Sequence, residues 1–235
     1  MPPGGGKGRF TGMEIKAVLL VVDMQNGFCG VGGSFDQFGF NIAPYRAIIP
    51  TLGKTIKYLR IKGVPVYYAK AIREASGLDL LDRVHRILPE SRQEKLGSMH
   101  LCIRDTWDAD VIDEIYPTDD DYIVEKRRDS VFQDTEFELW LRSFGANTII
   151  FTGIDTYICV ESSVRDAFNK GYDVILLSDC VASREQKYHE ATLGQIAESY
   201  GWVLTAEQFF NRIEIGELTV SEIDQTPVEY SESGT

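Results

Sequence analysis

The sequence predicts an α/β fold: a single doubly wound, Rossmann-like domain with a six-stranded, mostly parallel sheet and helices on both faces. Three observations point there. Six short runs rich in β-branched residues are almost continuously apolar, as strands buried on both faces of a parallel sheet must be. Amphipathic stretches with helical spacing alternate with these runs. Gly63, Gly145, Gly171 and Gly201 each stand just before a strand, where a helix C-terminal glycine is expected.

In chain order, the strands are KAVLLVV (16–22), VPVYYAK (64–70), DYIVEK (121–126), NTIIFTG (147–153), DVILLSD (173–179) and a weaker GWVLT (201–205). Helices are expected over 44–62, 107–115, 134–144, 160–170 and 186–200. Phe137, Leu141 and Phe144 share one face of the third, and Val160, Val164, Ala167 and Phe168 one face of the fourth. The Gly/Pro-rich opening, residues 1–12, predicts a flexible extension, so the domain spans 13–216. Residues 217–235 carry several acids and no Lys or Arg, the composition of an acidic tail, although Leu218, Val220 and Ile223 could dock. Residues 75–106 form a long connection, consistent with a lid or a subunit contact.

Composition sets limits on function. The chain has 235 residues, with Lys+Arg 24 against Asp+Glu 36, a net charge of −12. That balance argues against a nucleic-acid or membrane-surface binder, whose affinity comes mainly from basic side chains on phosphate. The longest apolar run near the start, Ala17 to Val22, is too short to span a bilayer, and no signal-peptide core precedes it, so the cytoplasm is the expected compartment. Cys29, Cys102, Cys159 and Cys180 lie far apart with no CxxC pair, so neither a disulfide framework nor a metal site is expected. No G-x-G-x-x-G follows the first strand, which weighs against dinucleotide binding.

Right-handed crossovers bring all strand C-termini to one edge, where ligands of such sheets bind. The residues just past the strands are Asp23, Lys70, Lys126, Gly153 to Cys159 and Asp179, and the site is expected to be assembled from them. Read alone, Asp23 could equally cap a loop, and Lys126 could belong to a solvated basic cluster with Arg127 and Arg128. Together they form a carboxylate and an ammonium at one rim, each favouring the charged form of the other. Cys159 falls where a strand ends and a helix is expected to begin; a thiol there faces the positive end of the helix dipole, which favours thiolate. Cys29, Cys102 and Cys180 read as inert buried thiols. His85, His100 and His189 are scattered, with none at a strand end. Asp, Lys and Cys at strand ends make a coherent hydrolase site: the aspartate takes the thiol proton and returns it to a leaving amine, the lysine holds the pair charged, and sulfur attacks a carbonyl.

VLLVVDMQNGF, VEKRRDSVFQDTEFELWLRSFG and FTGIDTYICVESSVRDAFNKGYDVILLSDCVAS resemble, in order and spacing, the isochorismatase-like cysteine hydrolases. The resemblance runs from about Ala17 to Phe210. It implies Asp23 as base, Lys126 as tuning lysine and Cys159 as nucleophile. It also implies a cis peptide between Ile154 and Asp155, with the amides of Asp155 and Cys159 as oxyanion donors. Phe28 matches an aromatic that lines the substrate pocket in relatives. Gln25, in the same motif, is counted with it as a substrate-side candidate, although a structural role suits it better, and Thr156 supports the turn. The metal-binding Asp-x-His of the nicotinamidases has no histidine counterpart in YYAKAIREASGLD (67–79), so no metal or other cofactor is expected. The loop CGVGGSFDQFGF (29–40) and the closing ESYGWVLTAEQFF look most like the ureidoacrylate, biuret and N-carbamoylsarcosine branch. That branch implies a small ureido or N-carbamoyl amide, cleaved through a thioester-type acyl-enzyme with release of ammonia. The far end of such a substrate, often a carboxylate, would meet Arg73, Arg127 or Arg128. The resemblance further implies a homodimer or homotetramer. Vinyl-ether hydrolysis of the isochorismatase type, a nicotinamidase, and a non-catalytic assembly module are the alternatives.

Overall fold

The computed structural model describes residues 13–79 and 101–221. The extension 1–12, the tail from 222, and residues 80–100 of the long connection, with His85 and His100, lie outside the described residues.

All six predicted strands form one parallel sheet. β2 (Ala17–Val22), β3 (Val66–Ala71), β4 (Tyr122–Lys126), β5 (Thr148–Ile154), β6 (Asp173–Ala182) and β7 (Trp202–Leu204) pair in the order β4-β3-β2-β5-β6-β7. The chain winds outward from β2 to β4, then crosses back to place β5 on the other side of β2. This reversal opens a crevice beyond the C-terminal ends of β2 and β5.

β2 shows why the sheet is buried on both faces. Its six residues are all buried, with Ala17, Leu19 and Val21 in one core and Val18, Leu20 and Val22 in the other. The first core is closed by Leu52, Ile56 and Leu59 of α4 (Ile49–Ile61). The second is closed by Phe137 and Leu141 of α5 (Phe137–Ser143), Val164 and Ala167 of α6 (Glu161–Asn169) and Ile196 of α7 (Gln186–Ser199). Full burial of one such Val or Leu contributes about 1.5–3 kcal/mol, so the strand is anchored from both sides.

Several details depart from the sequence expectation. The helix expected over 44–62 is two, α3 (Ala43–Ala47) and α4, each with a proline in its first turn. Two short helices precede them, α1 (Asn26–Cys29) and α2 (Ser34–Gln37). The helix expected over 107–115 is replaced by two 3₁₀ turns, Trp107–Ala109 and Asp113–Ile115. Between them the backbone is claimed by the loop after β2: Asn26 N–H bonds Asp110 O at 2.8 Å and Ile112 N–H bonds Met24 O at 3.0 Å. Those bonds would be lost in a helix. A helix not foreseen, α8 (Ala206–Glu214), follows β7 and opens with a capping box between Thr205 and Gln208. The domain boundary at 216 also moves: β8 (Leu218–Val220) pairs in parallel with β1 (Met13–Ile15), and Leu218 is buried. Among the described residues no helix is long and apolar enough to cross a membrane.

Candidate active site

The turn after β2 places Asp23 in the crevice. Its φ is +52°, a left-handed conformation that aspartate tolerates better than most residues, and its N–H bonds Ala69 O of β3 at 2.9 Å. Lys126, the last residue of β4, reaches the same point. Both side chains are almost wholly buried, and Lys126 Nζ donates to Asp23 Oδ2 at 2.8 Å and to Arg128 O at 3.2 Å. Burial pushes the Asp23 carboxyl up, partly opposed by the Lys126 ammonium, and the net direction is upward. Burial works against the charge on Lys126 too, but Asp23, Cys159 and Asp129 outweigh it and hold the ammonium above its ordinary range. The other carboxylate oxygen, Asp23 Oδ1, is buried with no hydrogen-bond partner among the described residues. The carboxyl interacts with the Cys159 thiol, so the orphaned oxygen is the acceptor available to its proton.

Cys159 lies past β5, in a turn of π-helical hydrogen bonding (Thr156–Val160) that leads into α6. β5 passes close to β2 at Gly153, whose φ is +100° and where a Cβ would fall 2.1 Å from Val22 O; only glycine fits. The Ile154–Asp155 peptide is cis, as the resemblance implies. The thiol state differs from the dipole argument. Burial pushes the Cys159 thiol well up, Lys126 pulls it down, and the charges of Asp23 and Asp129 push it further up. Burial, the largest cause, together with the charges of Asp23 and Asp129, outweighs the pull of Lys126 and holds the thiol above its ordinary range. Cys29, Cys102 and Cys180 are fully buried, as expected of inert thiols, and the Cys180 thiol is pushed up to about 12 by burial.

Asp23, Lys126 and Cys159 line one cavity of about 410 Å³, a volume suited to a small molecule. Phe28, Arg73, Arg127, Ile154 and Asp155 line it too. Three expectations are corrected. Gln25 is not on the cavity: its side-chain amide is spent on the backbone of Ala71 and Ala109, pinning β3 to the first 3₁₀ turn. Lys70 faces Asp110 at 3.4 Å, and Asp179 lies within β6, where its carboxylate accepts the N–H of Ala206 and caps α8. Of the arginines, Arg127 is engaged by Glu74, and Arg128 donates to the carbonyls of Asp79 and Arg127.

The residue that sequence reasoning missed is Arg184, just past β6. It lines the cavity, its guanidinium lies 4.3 Å from the Phe40 ring centroid and 5.3 Å from that of Phe35, and its Nε is buried with no hydrogen-bond partner among the described residues. Beside it, Asp155 accepts hydrogen bonds from Tyr45 at 2.7 Å and from Ser183; burial pushes its carboxyl up, opposed by those bonds and by the charge of Arg184. Behind the Thr156–Val160 turn, His189 Nδ1 pairs with Thr156 Oγ1 at 2.9 Å. Among the described residues no three His, Cys, Asp or Glu side chains are grouped to hold a metal ion.

Comparison with known proteins points the same way. The family model describing an Isochorismatase domain matches residues 17–208. The chain is 31% identical to the ureidoacrylate amidohydrolase RutB of Acinetobacter baylyi over 222 residues, 88% of this chain and 90% of the relative. It is 34% identical to the ureidoacrylate amidohydrolase RutB of Rhizobium rhizogenes over 202 residues, 83% of this chain and 82% of the relative. Its fold matches the crystal structure of a cysteine hydrolase from Pseudomonas syringae pv. phaseolicola with a TM-score of 0.73 at 28% identity, covering 86% of this chain and 93% of that one.

Proposed function

The chain belongs to the isochorismatase family, and on that premise we propose that it is a cysteine amidohydrolase that cleaves a C–N bond of a small ureido or N-carbamoyl amide bearing a carboxylate at its far end, without metal or other cofactor. The observation that carries this reading is the buried Asp23–Lys126 pair, with one carboxylate oxygen unspent, beside the Cys159 thiol in a small cavity. The guanidinium of Arg184 in the same cavity, its Nε without a hydrogen-bond partner among the described residues, supports the anionic end. The relatives named as ureidoacrylate amidohydrolases support the ureido class.

The chemistry balances with these groups alone. Asp23 takes the thiol proton as sulfur bonds to the carbonyl carbon, and the carbonyl electrons move to oxygen, facing the amides of Asp155 and Cys159. When the oxyanion collapses, the C–N bond breaks and nitrogen leaves with the proton held by Asp23, as ammonia. Water then attacks the thioester, giving one proton to Asp23; the C–S bond breaks and sulfur recovers that proton. Lys126 stays charged throughout, and limits how far burial can raise Asp23.

The test is ammonia release across ureides, N-carbamoyl amino acids, biuret, nicotinamide and maleamate, with a chelator present throughout. Wild type should act on a ureido or carbamoyl substrate, and Cys159→Ser should lose at least about 10³-fold in kcat while still binding it. Activity that collapses under chelation and returns with a divalent metal overturns the metal-free reading. A fully active Cys159→Ala would turn the assignment to vinyl-ether hydrolysis, which needs the acid but no thiol.

A further inference from the structure

Cys159 has a second carboxylate beside it. Asp129 Oδ1 lies 3.9 Å from Cys159 Sγ, and Asp129 lines the same cavity. Unlike Asp23, it is exposed at the mouth, and among the described residues it forms no ion pair and takes one hydrogen bond, from that thiol. We infer that Asp129 accepts an N–H from the substrate's scissile group, so that the enzyme selects carbonyls flanked by an N–H-bearing nitrogen; this rests on the amidohydrolase reading above.

The geometry leads there from the bond that must form. When Sγ attacks, the carbonyl carbon sits one bond from sulfur and its nitrogens one bond further. An acceptor 3.9 Å from that sulfur is therefore within hydrogen-bond reach of a nitrogen on the carbon under attack. An ionised carboxylate accepts and does not donate, so its partner must carry hydrogen. The nitrogens of a carboxamide or ureide qualify; an ester oxygen and a dialkylated nitrogen do not. A site that hydrogen-bonds a substrate N–H discriminates against the analogue lacking it, because its own polar group is left unpaired.

Asp129 does not serve the sulfur. Its negative charge works against thiolate formation, and it lacks the lysine bond that opposes the burial of Asp23. What it does to the nucleophile is a cost, and what it offers is an acceptor facing the substrate.

Two variants separate the charge from the hydrogen bond: Asp129→Ala removes both, and Asp129→Asn keeps a neutral acceptor. The assay compares a ureide turned over by wild type with an ester of the same acyl group, and follows iodoacetamide alkylation of Cys159 against pH. For Asp129→Ala, kcat/KM on the ureide should fall roughly ten- to hundredfold, the range for a hydrogen bond to a charged group, while the ester rate holds or rises. Asp129→Asn should fall between Asp129→Ala and wild type on the ureide. Both variants should move alkylation to lower pH, since each removes a carboxylate that disfavours the thiolate. An equal fall on ureide and ester would make Asp129 the base and overturn the inference. So would an alkylation profile that stays in place or moves to higher pH. A wild type active on ureides whose Asp129→Ala variant keeps its ureide rate overturns this inference alone; a wild type inert toward every ureide and carboxamide overturns the amidohydrolase reading with it.

Discussion

Asp23 follows the end of the central strand β2 and Lys126 ends the edge strand β4, the two buried and bonded to each other, whereas Arg184, Phe35 and Phe40 come from connections beyond the strands and are held by stacking. The first set is fixed by the sheet: Asp23 N–H bonds Ala69 O, and Lys126 sits in register with Ala71. The second set keeps one guanidinium nitrogen, Arg184 Nε, buried with no hydrogen-bond partner among the described residues. The difference divides labour within one cavity. On the function proposed above, the groups that would move protons are pre-organised by backbone pairing, and those that would recognise the rest of the substrate are carried on connections that vary without disturbing the sheet.

The hardest way to break this contrast is to damage the rigid set. In Lys126→Met the burial that raises Asp23 is no longer opposed, so the carboxyl is pushed further up and less of it is ionised to accept the thiol proton. The rate should fall about 10²–10⁴-fold, as when a positioned acid–base partner is deleted. Thiol alkylation at Cys159 should move to higher pH, the opposite direction from the Asp129 variants, because here an attractive charge has been removed. Stability should fall as well, by up to about 3–5 kcal/mol, the range for removing one partner of a buried ion pair. An unchanged alkylation profile would return Lys126 to a structural role.

The loop set should respond differently. Arg184→Met should raise KM for a carboxylate-bearing substrate roughly ten- to hundredfold with kcat within a few-fold of wild type, the mark of lost binding rather than lost chemistry. A matched substrate with a neutral far end should be little affected. If kcat falls with KM unchanged, Arg184 acts on the chemical step and the division of labour fails.

How far each set was legible in the sequence follows from the same contrast. Asp23 closes an uninterrupted apolar run and Lys126 a β-rich one, and such runs end where the sheet ends, so their place at the rim could be read from the pattern. Cys159 was legible by its position after the β5 run, but the upward shift of its thiol was not, because it comes mainly from burial, which the pattern does not show, and the further push of Asp129 comes from a stretch, KRRDS, that reads as a basic cluster. Arg184 was hidden by a shifted strand end. DVILLSD appears to stop at Asp179, yet β6 continues to Ala182 through a register shift against β5 between Phe151 and Gly153. The rim therefore falls at Ser183 and Arg184, and Asp179 becomes a cap for α8 instead. Helix α8 did carry a signal, the Thr205-x-x-Gln208 box. The contacts of His189 carried none, because helical spacing does not say which loop a helix face will meet.

His189 gives the smallest effect and the finest test, because it belongs to neither set but supports the rigid one from behind. It is half-buried, with Nδ1 against Thr156 Oγ1 in the nucleophile turn. Burial lowers its pKa below the ordinary 6.5, opposed by the charges of Asp155 and Glu190. The folded protein therefore binds fewer protons at this site than the unfolded chain does. The sign is then set: this contribution is fully present above the unfolded value near 6.5 and is lost as pH falls from there through the lowered folded value. A solvent-screened, half-buried group gives little, so between pH 7.5 and 5.5 the loss assigned to it should be about 1–2 °C in Tm. His189→Gln keeps a hydrogen-bonding side chain but cannot titrate. Its Tm should therefore fall less than that of wild type over the same interval, with the two curves diverging only on the acid side. Activity should follow the same pattern, since a charged His189 disturbs the turn that carries Cys159 but touches neither Asp23 nor Lys126. Curves that run parallel through this interval would mean that His189 charges without cost, and that the nucleophile turn is held by the strand end alone.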